Sequence, residues 1–375
     1  MLKSCIGLKK TELDTPCLTI DINLLKCNLA FMQSHSINHK INIRPHAKTH
    51  KCTEIAKMQI SYGAIGISVA KVSEAVVLTD NGISNILITS PIIGTNKIEK
   101  LLRCMENALE IIVVVDNEKN IADLNAAAQS IGSKINVLVD IDPGIGRTGV
   151  ALNHALDFAK KIKKLDALNL LGIQCYAGNL QHIKSYNDRR DASLKIMNAG
   201  SHIVKLFEKH GIACPIFTGA GTGTYDIDIA STRLTEIQPG SYVVMDTEYS
   251  DIESKNGSDL SSTFYPSMTL LTTVISSNRY EHVTVDAGTK SIYVDFNQKP
   301  KIISHNNLQY DWGGFGDEHG KITSSNKERL PTNGEVIELI LPHCDPTINL
   351  FDQFFITDND IVIDVWPIDL RGHSQ

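Results

Sequence analysis

A chain of 375 residues with a formal net charge of −6 is long enough for one large and one smaller domain, each with its own core. Its 42% apolar and 21% charged content is that of a globular protein, and the negative balance argues against nucleic acid, whose phosphates demand a cationic surface. No apolar run approaches the ~20 residues of a membrane span. Residues 1–5 lead to Lys9 and Lys10 without the apolar stretch of a signal peptide, and the eight cysteines show no disulfide-like spacing. The expectation is a cytoplasmic protein with reduced thiols and no membrane partner.

A strand at 15–21 and a helix at 24–33 precede a long alternation. Short β-branched runs at 41–45, 65–69, 86–89, 111–115, 137–141, 170–175, 216–218 and, more weakly, 234–237 alternate with helical segments at 53–62, 71–79, 97–106, 118–131, 152–164 and 187–210. In 118–131, Ile121, Leu124, Ala128 and Ile131 recur at three- and four-residue steps, one helical face. Strand–helix units with nearly all-apolar strands predict an α/β fold, a parallel (β/α)8 barrel over residues 21–240. After Pro239-Gly240 the rhythm changes. Runs at 241–245, 268–275, 282–286, 292–295, 335–341 and 361–366 are separated by turns without helices, predicting a mostly antiparallel β domain over 241–375, joined by 1–20.

Arg44-Pro45-His46-Ala47-Lys48-Thr49-His50-Lys51 closes the first barrel strand. A lysine held there among other cations can lose its proton and act as a nucleophile, as a Schiff base with pyridoxal phosphate requires. A solvated basic loop, or one that binds another phosphate, is the alternative. Barrel sites lie at the carboxyl ends of the strands, with phosphate often held after strands seven and eight. Lys48 follows the first strand and Thr218-Gly219-Ala220-Gly221-Thr222-Gly223-Thr224 the seventh. Glycines in alternation let N–H groups approach a phosphate, and Thr222 and Thr224 add hydroxyl donors; a plain turn would use the same glycines without a ligand.

Arg147 follows another barrel strand. It either hydrogen-bonds the pyridine nitrogen without protonating it, leaving a weaker electron sink, or bonds Asp140 or Asp142. Tyr176, after the sixth strand, is a candidate cofactor contact, and His182 a candidate acid or base near neutral pH. In Leu341-Pro342-His343-Cys344-Asp345-Pro346 an extended backbone would put His343 and Asp345 on one side, half of a divalent metal site, and Cys344 on the other. Cys344 would be the ligand only if the backbone turned there. A surface His-Asp pair without metal explains the bare spacing equally.

RPHAKTHK (44–51), GAGTGTYD (219–226), PGSYVVMD (239–246) with Tyr249, VDAGTK (285–290), DEHG (317–320) and PHCDPTINL (342–350) resemble, in order and spacing, the D-threonine aldolase / D-serine dehydratase family. The similarity runs from Thr15 to Gly372. It implies an alanine racemase-like architecture, a barrel that binds pyridoxal phosphate plus a β domain, paired as a homodimer. It also implies that Lys48 carries the cofactor, that Gly221, Thr222, Gly223 and Thr224 bind its phosphate, and that His343 with Cys344 or Asp345 binds a divalent metal. Family dehydratases carry His-x-Cys and aldolases His-x-Asp. With Asp345, this chain is similar to 3-hydroxy-D-aspartate aldolases and their D-threonine-cleaving relatives. An oxygen ligand suits Mg or Mn, and a thiolate would suit Zn. The expected activity is cleavage of small D-3-hydroxyamino acids to glycine and an aldehyde. The alternatives are a D-serine or 3-hydroxyaspartate dehydratase and, behind it, a PLP-carrier protein or an amino-acid racemase.

Overall fold

The computed structural model describes residues 5–108, 110–231, 233–294, 298–312, 315–325 and 329–375. The chain opens with β1 (Cys17–Asp21) and α1 (Ile22–His39). There follow β2 (Asn42–Ile43), α2 (Thr53–Ser61), β3 (Ile67–Val69), α3 (Val72–Asp80), β4 (Asn85–Ile88), α4 (Thr95–Asn107) and β5 (Glu110–Val115). Next come α5 (Glu118–Ser130), β6 (Ile135–Asp140), α6 (Ala155–Ile162), β7 (Leu168–Cys175), α7 (Tyr186–Lys209), β8 (Ile216–Gly219) and β9 (Glu236–Ile237). Two compact units result. One holds Met32–Lys48, Thr53–Gly240 and Gly372–Gln375; the other holds Met1–Phe31, Thr49–Cys52 and Ser241–Arg371.

In the first unit eight strands run parallel in the order β2-β9-β8-β7-β6-β5-β4-β3. The ring closes between its end strands, where Ile65 N–H donates to Ile43 O at 2.9 Å and Ala47 N–H to Ser68 O at 2.8 Å. This is the expected (β/α)8 barrel. Strands β5 (EIIVVV) and β6 (INVLVD) are apolar nearly throughout because a helix covers one face and the barrel interior the other. Helix α5 starts where the Asn117 side chain accepts the amides of Lys119 and Asn120, a cap that contributes about 1 kcal/mol.

The second unit contains α8 (Thr247–Ser250), β10 (Met268–Ser276), β11 (His282–Val285), β12 (Lys301–Ile302), β13 (Leu308–Asp311), β14 (Gly320–Ser324), β15 (Val336–Ile340), α9 (Cys344–Ile348), β16 (Gln353–Asp358) and β17 (Ile361–Pro367). Its sheet runs β13-β14-β11-β10-β1-β16-β17, with β15 also on β10 and β12 on β15. Every pairing is antiparallel except β1 with β16. Leu18 and Ile20 of the central β1 are fully buried, each stabilising the sheet by about 2 kcal/mol. VDAGTK and DEHG lie against each other here. A Cβ on Gly288 would sit 2.4 Å from Asp317 O and His319 N, and Asp286 accepts the hydroxyls of Thr15 and Thr272 at 2.6 Å. Those two motifs serve the packing of the unit.

Three expectations are corrected. Residues 241–245 form no strand; Ser241–Val243 is a 3-10 turn, because Val244 and Met245 amides both return to Ser241 O and Met245 takes φ 58°. The run at 292–295 falls partly outside the described residues, and its described part is no strand, since the Ile292 amide turns back to Gly288 O. Two short helices, α8 and α9, interrupt a region expected to have none. All eight cysteines are free thiols, and no described helix is long and apolar enough to cross a membrane.

Candidate active site

The lysine turn leaves the end of β2 under two restraints. His46 N–H donates to Pro239 O at 3.1 Å, and the next amide, Ala47, joins β3. His46 Nε2 lies 3.0 Å from Thr89 Oγ1, whose own proton goes to Val69 O at 3.1 Å, so Nε2 is the donor. Nδ1 accepts the Lys48 amide at 3.3 Å, so it carries no proton. His46 thus braces the turn that carries Lys48. Arg44 Nε is 3.1 Å from Glu236 Oε1, and both side chains are only 3% exposed. The Arg44 charge is thus compensated by a carboxylate. Lys48 is half-buried between the fully buried Ala47 and Thr49. Lys290, by contrast, is exposed, and its hydrogen bond with Glu318 at 2.6 Å raises its pKa and keeps it charged.

The glycine-rich loop follows β8 as expected. Its glycines answer first to packing. A Cβ on Gly219 would lie 2.3 Å from Cys175 O, on Gly221 2.6 Å from Gln181 Oε1, and on Gly223 2.0 Å from Gln181 O. Ala220 adopts φ 59°, and a 3-10 turn, Thr222–Thr224, begins at Gly221. The opening amides of such a turn are the ones oriented toward an anion. The Thr224 hydroxyl, expected as a phosphate donor, instead donates to Asp228 Oδ2 at 2.7 Å while accepting from Gln181 Nε2 at 3.1 Å. Asp228 is fully buried, and burial pushes its carboxyl up to about 7. Within the loop the Gly221 amide donates to Thr224 Oγ1 at 3.3 Å and the Gly223 amide to Gln181 Oε1 at 3.0 Å, so a phosphate bound here would have to compete with those partners.

Arg147 bonds neither of the carboxylates considered for it. Asp142 accepts the amides of Gly144, Ile145 and Gly146, and Asp140 accepts from Thr148 at 2.8 Å and Gln174 at 3.0 Å. Its guanidinium lies instead 5.8 Å from the Tyr176 ring centroid, a cation–π contact that unites two candidate cofactor residues. His182 is half-buried, just after the 3-10 turn Gly178–Leu180.

In the second unit, the premise of an extended 343–345 segment fails. His343 is extended (φ −143°, ψ 122°), but α9 begins at the next residue. Even so, the turn does not deliver the thiol. Cys344 Sγ bonds Met245 O at 3.0 Å, its amide donates to Asp246 Oδ2 at 3.0 Å, and burial raises its pKa well above the usual thiol range. His343 Nδ1 lies 2.6 Å from Glu248 Oε2 and 3.9 Å from Asp246 Oδ2. Burial alone would lower the imidazole, but the Glu248 hydrogen bond and the charges of Asp345 and Asp246 outweigh it and carry it to about 9. Asp246 is itself pushed up to about 6 by burial. The carboxylates around this imidazole favour a positive charge on it, and a divalent metal bound here would take the place of the extra proton. With Nδ1 turned to Glu248, Nε2 is left to ligate, the usual orientation of a metal-binding histidine. Among the described residues no three His, Cys, Asp or Glu side chains form a ready metal cage, so His343 and Asp345 would leave the other positions to outside ligands.

Sequence reasoning missed Glu248, Asp246, Gln181, Arg189 and Asp228. One of them had a visible signal: Arg189 falls on the buried stripe of α7 with Ser193, Met197, Gly200 and Val204, a charge on an apolar face.

The fold is alanine racemase-like, and the relatives it matches make the chain a carbon–carbon lyase. The alanine racemase N-terminal domain model matches residues 20–248 and a serine dehydratase domain model residues 267–357. The chain belongs to this alanine racemase-like family of D-threonine aldolases and D-serine dehydratases. It is 36% identical over 365 residues to a D-threonine aldolase of Arthrobacter sp., covering 97% of this chain and 94% of that one. It is 33% identical over 369 residues to a 3-hydroxy-D-aspartate aldolase of Paracoccus denitrificans, covering 98% and 94%. The crystal structure of a D-threonine aldolase from Filomicrobium marinum superposes with a TM-score of 0.94 at 31% identity over 100% of both chains.

Proposed function

We propose that this chain is a pyridoxal phosphate- and divalent-metal-dependent aldolase that cleaves D-threonine or 3-hydroxy-D-aspartate to glycine and an aldehyde. The observation that carries the reading is the Cys344 thiol, bonded to Met245 O and buried, which argues for Asp345 rather than Cys344 as the second metal ligand beside His343. An oxygen donor beside an imidazole favours Mg or Mn over the Zn that a thiolate would select. Functionally, residues 21–240 hold the cofactor and residues 241–375 with 1–20 hold the metal. The reading extends to a cytoplasmic homodimer, with the free thiols in its favour.

When bound, pyridoxal phosphate supplies an electron sink and the divalent cation a Lewis acid for a hydroxyl group. The residues do the rest. Lys48 would hold the cofactor, and the proton lost by the β-hydroxyl balances the one Cα gains as glycine forms. Gly221, Thr222, Gly223 and Thr224 would hold the phosphate, with the Gly221 and Gly223 amides leaving Thr224 Oγ1 and Gln181 Oε1 to do so. Tyr176 and Arg147 orient the ring; a guanidinium, which keeps its proton, can bond the ring nitrogen without protonating it. His182 takes the proton of the β-hydroxyl, a role worth about 100- to 10,000-fold in rate. His343 and Asp345 hold the cation, and Glu248 fixes the imidazole.

The test is metal removal. Chelation should stop glycine formation while the visible absorbance of the bound cofactor persists, and Mg or Mn should restore it. Full cleavage in EDTA with no detectable metal would reduce His343 and Asp345 to a structural turn.

A further inference from the structure

We propose that Gln181 and Arg189 are positioning residues through which an occupied phosphate loop fixes the segment carrying His182. The inference rests on the reading of His182 as the proton acceptor, and it concerns residues that touch no reacting atom. Gln181 immediately precedes His182. Its Oε1 accepts the Gly223 amide at 3.0 Å, and its Nε2 donates to Thr224 Oγ1 at 3.1 Å and to Ala177 O at 3.3 Å. On the far side of His182, Arg189 Nη1 donates to Ile183 O at 2.5 Å and to Lys184 O at 3.2 Å. Its Nε donates to Gly223 O at 2.7 Å.

Gly223 is thus gripped through both its N–H and its C=O by side chains that bracket His182. Each of those side chains is only 1% exposed, so water cannot take over a broken bond. The contact is also steric: the Gln181 carbonyl occupies the space a Cβ on Gly223 would need, at 2.0 Å. One helical turn beyond Arg189, Ser193 donates to Asp228 Oδ1 at 2.5 Å, and Asp228 Oδ2 accepts the Thr224 hydroxyl. Helix α7 therefore holds the loop from two positions. A phosphate on the 222–224 turn would compete with Gln181 Oε1 for the Gly223 amide, and the two side chains would carry that change to the residues on either side of His182. Because such coupling is reciprocal, the His182 segment must also feed back on cofactor affinity.

The test uses the full-length chain, freed of cofactor and then given pyridoxal phosphate, pyridoxal or inorganic phosphate. Amide hydrogen exchange is followed separately in 177–186 and 219–225. In the parent, pyridoxal phosphate and inorganic phosphate should slow exchange in both segments by roughly tenfold, the weight of one hydrogen bond, and pyridoxal should not. In Arg189→Lys, which keeps the charge, and in the near-isosteric Gln181→Glu, protection should persist in 219–225 but fail to reach 177–186. At saturating cofactor both variants should lose roughly tenfold in kcat with KM within about twofold, and the limb of the pH profile that His182 sets should shift. His182→Gln separates the two ideas. If it leaves turnover intact, the assignment of the base fails, whereas the exchange pattern still decides the coupling. Equal protection by pyridoxal and pyridoxal phosphate in 177–186, or protection that survives in both variants, would overturn the proposal.

Discussion

The glycine-rich loop at 219–224 and the His343 turn both follow a strand and both are short, yet different forces shape them. In the loop, sterics decide: Gly219, Gly221 and Gly223 sit where a Cβ would lie 2.0 to 2.6 Å from a backbone or side-chain oxygen. In the turn, charge decides: Asp246, Glu248 and Asp345 together hold an imidazole in its protonated form. The loop should therefore fail when atoms are added, and the turn when charges are removed at constant shape. An anchoring lysine should fail under either change.

The largest effect is expected at that lysine. Lys48→Ala should lower turnover on the order of 10,000-fold, and borohydride reduction of the parent should place the label on Lys48 in a peptide map. A label on Lys51 or Lys290 would move the cofactor elsewhere. Next comes the charge test. Asp345→Asn should lose metal and activity together, and Glu248→Gln should weaken metal binding about 10- to 100-fold by freeing the imidazole. Cys344→Ala should retain its metal, at a stability cost of about 1 kcal/mol for the lost bond to Met245 O; metal loss in this variant would make the thiol a ligand. The steric counterpart is Gly223→Ala, which should destabilise the protein by about 1–3 kcal/mol through overpacking against Gln181. An unchanged midpoint would mean the loop yields more easily than its contacts indicate.

The smallest effect is a slope. Asp228 has a folded pKa of about 7 against 3.8 for a free carboxyl, so between those values the folded chain binds more protons than the unfolded one. Its contribution to stability is complete below the lower value and is lost as pH rises through the upper one. Asp228→Asn should flatten the fall in thermal midpoint over that window relative to the parent. A parallel slope in both proteins would show that Asp228 titrates normally.

How legible these regions were follows from the same contrast. The barrel could be read because apolar strands and amphipathic helices alternate, and its weakest strand, β9, is weak for a reason: Glu236 points a carboxylate at Arg44 inside the ring. The β domain was read less well. Strands β13 and β14 carry Asp311 and Lys321, paired at 3.3 Å, which breaks the apolar alternation. The preferred reading of the His343 segment took it as extended, yet α9 begins at Cys344 and its Pro346 falls in the first turn, where a proline is tolerated. Glu248 could not be found from spacing at all, since it meets His343 across 95 residues of sequence. Gln181 and Arg189 escaped for a related reason: the glycines they hold were visible, while the side chains that require those glycines lie on another loop and helix.

The central claim is aldol cleavage at an oxygen-liganded metal, and the products formed from D-threonine test it most directly. The purified protein with Mn or Mg should release glycine and acetaldehyde in equal amounts, with release stopped by EDTA and restored by the metal. Ammonia and 2-oxobutanoate in their place would make the chain a dehydratase and contradict the account.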